Sequence, residues 1–526
     1  MVTDPPATSD TSTSVEIVPF FGGFILETLT VGMYGESRNA IREYIQNGFD
    51  SIQQAIKRKV LKGGEGLIEI ELSGDKTSLT IRDNGAGLPE SSAVKTLTAI
   101  GSSTKDYRKN AGFRGIGRLA GIVFSETVRF TTKASGEANQ TEIVFNAHGM
   151  RKAMSPGQGS EISADSLIRQ YVSGTQTTNP DLDKHFFEVK LEGLTDPPEE
   201  CVSFHSLKNF VSEVAPVPYS PLFKLRAALA AAEKEHKVSI DEVRVSIKEG
   251  DKDPVDVVKP YRDKHKIDDR EVPLDECDII SSASGKWWGW VGKKGTESGA
   301  FDEESVRGLR VRVKNIQIDG TQIIRDTFLK QNKSYPRFTE YFLGEIFVDP
   351  SWLVPNARRD GFEEDPNWKT MRTELGAEAK KLGRKAYDAS TDAQRTVGKL
   401  GERLKQAREE LDVLRRTAFA DVDRAMKLSV EINSWKRDVE KATIGADRSV
   451  AAELNEIGAN LADIKAECLK KIGVPEKPDV DVEAISLRAR EELVQELIVV
   501  FEDGLSPACM NAVRTILRAY LDQPDL

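Results

Sequence analysis

The chain has 526 residues, 39% of them apolar and 30% charged, with a formal net charge of −10. Such a length exceeds what one hydrophobic core serves and implies about three or four domains. The acidic balance argues against a protein coated in cations for nonspecific nucleic-acid binding, although it leaves room for a local basic face. The four cysteines, Cys201, Cys277, Cys468 and Cys509, are widely spaced and show no C-x-x-C pattern. Neither a structural zinc site nor a disulfide framework is therefore expected, and a reducing compartment fits. No apolar run approaches the ~20 residues that a membrane-spanning helix needs. The start is rich in Thr, Ser, Asp and Pro and lacks the apolar stretch of a signal peptide. The expectation is a cytoplasmic protein with residues 1–14 as a disordered tail.

From Val15 to about residue 200, helical and strand-like patterns mix. Arg38 to Arg58 reads as one helix. Ile41, Tyr44, Ile45, Gly48, Ile52, Ala55 and Ile56 follow the i, i+3, i+4, i+7 rule and predict a core face. Glu43, Asn47, Asp50 and Gln54 make a second stripe beside it. Asn47 offers a carbonyl oxygen to a hard cation such as Mg2+, and Glu43, one turn away, is a carboxylate able to polarise a water. Polar pairs at this spacing are also what a solvated helix face carries, so the stripe alone decides nothing.

Leu67 to Leu72 and Ser78 to Arg82 read as a hairpin around Ser73-Gly74-Asp75. The run Ile81-Arg82-Asp83-Asn84-Gly85-Ala86-Gly87-Leu88-Pro89 then sets a carboxylate at a strand end, followed by two glycines that permit close approach to the backbone. An Asp so placed can accept a hydrogen bond from an exocyclic amine; Asp-Asn-Gly is equally good turn chemistry. A third element is Gly112-Phe113-Arg114-Gly115-Ile116-Gly117, preceded by Ile100-Gly101-Ser102-Ser103-Thr104-Lys105. A glycine-rich loop entering a helix presents backbone N–H groups to phosphate oxygens. It is no P-loop, because no G-x-x-x-x-G-K-[ST] occurs in the chain. A Rossmann reading is poor as well, without the βαβ context.

In this order and at these gaps, the three elements resemble the N, G1 and G2 boxes of the GHKL ATPases. That superfamily includes gyrase, MutL, the histidine kinases, the microrchidia ATPases and the ninety-kilodalton heat-shock chaperones. The resemblance implies a Bergerat-fold α/β sandwich over residues 15–200 that binds ATP and Mg2+. By the same resemblance Glu43 is the general base, Asn47 the magnesium ligand and Asp83 the acceptor for the adenine amine. Asp50, Gly85 and Gly87 would line the nucleotide pocket, and Thr104, Lys105, Gly112, Gly115 and Gly117 would face the phosphates. A base at Glu43 argues against a histidine kinase, which transfers phosphate. The family closes its pocket with a late strand bearing a hydroxyl; Gly159-Ser160-Glu161-Ile162 and Phe186 to Leu194 both remain candidates.

Thr195-Asp196-Pro197-Pro198 reads as a boundary, and residues 201–368 as a second α/β domain with strands at Leu309–Ile318 and Gly344–Val348. Arg307 to Ile318 resembles the first transducer strand of the heat-shock chaperones. Gly344 to Val348 followed by Leu353-Val354-Pro355-Asn356-Ala357-Arg358-Arg359-Asp360 is similar to their catalytic loop. The resemblance implies that Arg359 reaches the γ-phosphate, with Arg358 one position away and Lys314 as the next candidate. The alternative is an exposed basic loop.

Residues 369–475 turn helical. Val397, Leu404, Leu411, Ala418, Ala425 and Ile432 fall seven apart as position a, and Leu400, Ala407, Leu414, Asp421, Leu428 and Trp435 fall on d. Asp421 is the one polar intruder. A coiled-coil arm and a helical hairpin packing on itself both demand this stripe. Residues 476–526 read as a module of short amphipathic helices broken near Gly504-Leu505-Ser506-Pro507. A GHKL domain, a transducer and a long helical arm look like the microrchidia layout. The expected activity is ATP hydrolysis in a homodimer that clamps on ATP. A chaperone-like remodeller is the first expectation, with a nucleic-acid clamp and a sensor in prokaryotic defence as the alternatives.

Overall fold

The computed structural model describes residues 22–23, 28, 36–100, 117–155, 162–294, 299–318, 320–444, 446, 448–474 and 513. The expected disordered tail (residues 1–14) and all of the expected C-terminal module except residue 513 lie outside them. The chain divides into two compact units, residues 1–393 with 445–448, and residues 394–444 with 449–526. No helix among the described residues is long and apolar enough to cross a membrane.

In the first unit, α1 (Asn39–Lys57) is followed by the hairpin β1 (Leu67–Leu72) and β2 (Ser78–Asp83), and then by α2 (Glu90–Thr98). β3 (Ser125–Lys133), β4 (Asn139–Asn146), α3 (Ala147–Met154), α4 (Ala164–Tyr171), β5 (Val172–Thr178) and β6 (Phe186–Leu194) come next. α5 (Phe204–Val214), α6 (Arg226–His236), β7 (Arg244–Glu249) and β8 (Val255–Asp256) complete the layer. The strands form one sheet of order β5-β4-β3-β6-β2-β1-β7-β8. Side chains alternate across a strand, so Ile68, Ile70 and Leu72 of β1 and Leu79 and Ile81 of β2 all point to one face. That face meets Ile41, Ile45, Phe49 and Ile52 of α1, as the helical repeat requires.

The sheet does not end where a boundary at residue 200 would place it. β7 pairs in parallel with β1, matching Ile247 to Ile70, and α5 buries Leu207, Phe210 and Val211 in the same core. The physical reason is apolar: Val245 and Ile247 continue the buried face of β1, and leaving them in water would expose a sheet edge. The proline-rich stretch after β6 is a connection within the domain.

A small hairpin of β9 (Lys264–Ile267) and β10 (Arg270–Pro273) precedes a second sheet. This sheet holds β11 (Glu276–Ser281), β12 (Trp287–Lys293), β13 (Gly308–Val313), β14 (Ile316–Ile318) and, after helix α7 (Gln322–Gln331), β15 (Leu343–Val348). Its order is β11-β12-β15-β13-β14, with β13 and β15 parallel. The single strand expected over Leu309–Ile318 is a two-strand hairpin. Lys314 and Asn315 both adopt positive φ (52° and 58°), the geometry of a two-residue turn that twists with its strands. One face of the sheet packs on α7 and on the first turns of α8 (Pro366–Arg416) through Phe328, Trp368, Met371 and Leu375. The other face packs on α6 and the β9–β10 hairpin through Leu229, Tyr261, Trp288 and Trp290.

Between these layers lies a buried ionic cluster. The Glu345 carboxylate of β15 pairs with Arg312 of β13 and, at 2.9 Å, with Lys259, all three side chains being wholly buried. The Tyr219 hydroxyl donates to its other oxygen. Arg312 also donates to the Asn315 and Glu213 carbonyls at 2.9 and 2.6 Å. Glu213 lies at the end of α5, so the cluster stitches the second sheet to the first domain. Burial alone would raise the Glu345 pKa; Arg312 and Lys259 outweigh it and hold the carboxylate below its usual range. Burial, together with repulsion from Arg312, pushes Lys259 down to about 7 against the pull of Glu345.

The second unit contains the rest of α8, α9 (Val422–Thr443) and most of α10 (Arg448–Lys471). Arg403 pairs with Asp438 at 2.5 Å and Glu410 with Arg424, which sets α9 antiparallel to α8. Arg408 bonds Asn460 and Arg415 pairs with Glu467, which sets α10 parallel to α8. The heptads thus meet inside one chain: Leu400, Leu404, Ala407, Leu411 and Leu414 are buried with Ala425, Leu428 and Ile432. Asp421, the intruder in the repeat, accepts the Arg424 N–H and caps α9. Ala418 and Phe419 take positive φ just before it, where the chain reverses.

The ionic cluster makes a stability prediction. Glu345→Ala leaves buried Arg312 without a counter-charge and drives Lys259 to its neutral form, and is expected to cost about 3–5 kcal/mol in denaturant unfolding. Because the folded pKa of Lys259 lies below its unfolded value, the unfolded chain binds the extra proton between about pH 7 and the ordinary lysine range, so this group makes stability rise with pH across that window. Lys259→Met should remove that rise, measured as the denaturant midpoint at pH 7.5 against pH 9.

Candidate active site

Amphipathic α1 carries its polar stripe beside the end of β2. Glu43 and Asp50 are buried, whereas Asn47, between them, is half-buried. Asp83 ends β2 and rests against Gly48 of α1, where an added Cβ would sit 3.2 Å from the Asp83 Cβ. Glycine at this point of the helix lets the carboxylate come close. Asp83 Oδ1 accepts the Gly85 N–H at 2.9 Å, and the Ala86 N–H reaches the Ser51 carbonyl of α1 at 3.1 Å. The His185 Nδ1 lies 2.7 Å from the Gly85 carbonyl oxygen. Gly87 has φ +62°, and a Cβ there would lie 2.0 Å from the Lys133 carbonyl oxygen, so only glycine fits. Next to it the Thr132 hydroxyl accepts the Leu88 N–H at 2.8 Å and donates to the Phe186 carbonyl at 3.1 Å.

Of the two late strands, β6 runs beside β2 and sets Phe187 opposite Asp83. Residues 159–161 lie outside the described residues, as do Thr104, Lys105, Gly112 and Gly115. Gly117 opens a 3-10 helix, Gly117–Val123. The Arg118 guanidinium donates to the Ala99 carbonyl. The Tyr44 hydroxyl of α1 donates to the Arg118 carbonyl at 3.0 Å and accepts the Gly121 N–H at 2.9 Å. Burial drives the Tyr44 pKa well up and draws Arg118 down to about 10.

The second sheet supplies the last residue. The loop after β15 closes on itself through a bridge between Pro355 and Phe362 and bonds from Asn356 N–H to the Gly361 carbonyl and from Arg359 N–H to the Asn356 carbonyl. This closure holds Arg359 at φ +57°, left-handed backbone that a non-glycine residue adopts only under constraint. Arg359 is buried, and its Nε donates to Glu43 Oε1 at 3.0 Å. Arg358 is exposed, and its carbonyl accepts from Arg42 at 3.2 Å. Lys314 occupies the β13–β14 turn instead. Glu43 and Arg359, 316 residues apart, therefore meet directly.

The family profile described as "Histidine kinase-, DNA gyrase B-, and HSP90-like ATPase" matches residues 35–175. That span holds α1, the Asp83 turn and the glycine loop. It is a GHKL domain near the HSP90 branch. Similar curated proteins are the chaperone protein HtpG of Alcanivorax borkumensis, 28% identical over 143 residues, covering 24% of this chain and 23% of that protein. HtpG of an Enterobacter strain is 24% identical, with 24% and 23% covered. HtpG of Shewanella baltica is 24% identical, with 24% and 22% covered. The match thus takes in under a quarter of the length of these relatives.

Several residues of the GHKL domain's site carry no signal in the sequence. Tyr44 reads only as a core position, yet its hydroxyl anchors the 3-10 helix. Thr132, Ser51 and His185 sit in ordinary strand, helix and loop contexts, and register alone brings them to the Asp83 turn. Gln46 of α1 is buried with both amide atoms unbonded among the described residues.

The Glu43–Arg359 contact is open to a double-mutant cycle without any ligand. Glu43→Gln, Arg359→Met and the pair should show a coupling of about 1–3 kcal/mol in urea unfolding, as buried ion pairs in direct contact do. Strict additivity would mean that the two side chains do not meet in solution.

Proposed function

We propose that this protein is an ATP-dependent conformational clamp: a homodimer that closes its GHKL domains on ATP and Mg2+, reopens after hydrolysis, and remodels other proteins as a chaperone does. The observation supporting this reading is the Arg359–Glu43 pair, because it ties a loop of the second sheet to the carboxylate that resembles the family's base. The likeness to HtpG supports the chaperone part, through the GHKL domain alone.

The residues present suit such a nucleotide. Asp83 and Asp50 are buried acceptors in a wall drawn tight by Gly48, Gly85 and Gly87, whose missing Cβ atoms make room for Asp83, Ser51 and the Lys133 carbonyl. Asp83 would accept the adenine amine while Gly85 N–H holds its other oxygen in place. Among the described residues no three His, Cys, Asp or Glu side chains converge on a metal site. By its likeness to the family, Asn47 would be the protein ligand of Mg2+, with phosphate and water oxygens filling the shell, as this hard ion prefers. When bound, ATP supplies the phosphoanhydride to be cleaved and a polyanion that competes with Glu43 for Arg359. In the described state the Glu43 carboxylate is committed to a cation and is poorly placed to take a proton. Once Arg359 swings to phosphate oxygens, Glu43 is released to polarise a water. Base release and charge stabilisation thereby become one movement, and the second sheet feels it through the loop.

Glu43→Gln should therefore retain ATP and lose turnover by ~10²-fold, accumulating as an ATP-stabilised dimer in light scattering. Arg359→Ala should slow hydrolysis by a similar ~10²-fold, with Arg358→Ala mild. Unchanged turnover in both Glu43→Gln and Arg359→Ala would sink the mechanism. Separately, Asp83→Asn should weaken ATP binding by about 1–3 kcal/mol, tenfold to hundredfold, in calorimetry.

A further inference from the structure

Gln46 of α1 has a burial that packing alone does not explain. It is 1% exposed, and neither its Oε1 nor its Nε2 is hydrogen-bonded among the described residues. A side-chain amide carries both donors and an acceptor. Burying it with all of them unmet is destabilising, and an apolar side chain of the same length would avoid that cost.

Its place on the helix gives the amide a task. At about 100° per residue, the azimuth of Gln46 falls between those of Arg42 and Glu43, one turn further along α1. Those are the two residues that the Arg359 loop touches: Arg42 donates to the Arg358 carbonyl at 3.2 Å, and Glu43 accepts from Arg359 Nε at 3.0 Å. Side chains three and four apart on a helix are neighbours, with Cβ atoms about 5–6 Å from each other. Gln46 therefore stands next to two buried carboxylates, Glu43 at i−3 and Asp50 at i+4. Asp83, the adenine acceptor proposed above, rests against Gly48, which lies nearly opposite on α1. The amide thus belongs to the end of the site where Glu43 and Arg359 meet. Being neutral, it can bond a water there without altering the charge that the carboxylates set.

We propose that Gln46 holds the water that attacks the γ-phosphate. Its Oε1 accepts one hydrogen of that water while Glu43 accepts the other, and its Nε2 donates to a γ-phosphate oxygen. This rests on the function proposed above and adds a residue to it. In the step, the water oxygen bonds to phosphorus as the bond to the ADP oxygen breaks. One proton passes to Glu43 and then to solvent, the second stays on the new phosphate, and Gln46 exchanges none. Two partners fix the direction of a water that one carboxylate leaves free to rotate.

Q46M, which keeps the length of the side chain and removes its polar atoms, tests this on the full chain. Without nucleotide, its urea midpoint should equal or exceed that of the native chain, because no bond is lost. With Mg2+ and ATP, kcat should fall at least ~10-fold while KM changes by less than about twofold. In the Glu43→Gln background the same change should add almost nothing, since the two side chains hold one water. A lowered urea midpoint would show that the amide is bonded in the resting protein and would overturn the proposal. So would a native kcat in Q46M, a raised KM with kcat unchanged, or a full additive loss in the double variant. A native chain that hydrolyses no ATP removes the proposed function and this role with it. One that hydrolyses ATP beside an unimpaired Q46M removes the role of Gln46 alone.

Discussion

The arrangement depends on a carboxylate kept from water. Glu345 sits in the middle strand of the second sheet with no exposed surface, and an isolated buried charge of that kind is not tolerated. Arg312 and Lys259 make it tolerable, and Arg312 in turn requires the Glu213 and Asn315 carbonyls for its remaining N–H groups. Each partner comes from a different part of the chain: β13, the stretch before β9, and the end of α5. Well-packed apolar side chains could fill the same volume at less risk to stability. What the ions add is direction. A hydrophobic contact between α5 and the second sheet could slide; directed bonds from Arg312 to Glu345, Asn315 and Glu213 fix one register.

That register is passed on to the candidate active site. β15 carries Glu345 and leads within a few residues into the loop that bears Arg359. The first domain contributes α1 and the Asp83 turn, which are positioned by an apolar core and three close-approach glycines. Neither half contains the whole constellation. Glu43 and Arg359 meet because the sheets are locked by Glu345 and because α5 and β7 belong to the first core although they follow residue 200 in sequence.

The parts legible in the sequence are those set by local spacing. The α1 repeat, the β1–β2 hairpin and the Asp83-x-Gly85-x-Gly87 turn need only neighbouring residues to show their geometry, and they appear where the periodicity puts them. Arg359 was legible by resemblance only. The misreadings came from long-range choices. Within 309–318 the one turn signal is Asn315, which tolerates positive φ; Lys314 gives none, and the unbroken β-branched alternation on either side hides the break. Nothing before residue 244 signals that a later strand will add in parallel to β1. The heptads could not reveal their partner, because a stripe fits any complementary helix; the clue was Asp421, a helix cap read as a flaw in a repeat.

Two left-handed residues show how differently the site uses backbone strain. At Gly87, φ +62°, the surroundings forbid any side chain, and glycine adopts the conformation at no steric cost. Arg359 has nearly the same φ, +57°, and pays for it, because a Cβ in that region costs roughly 1–2 kcal/mol. A glycine at 359 would relieve the loop and abolish the contact with Glu43. An arginine free to adopt ordinary backbone would point elsewhere, as exposed Arg358 does one residue earlier. The strain is therefore borne by the residue whose side chain must enter a buried, oppositely charged position, and the Pro355–Phe362 bridge enforces it. The backbone of the loop thus fixes where the Arg359 side chain starts, and that start is the Glu43 carboxylate.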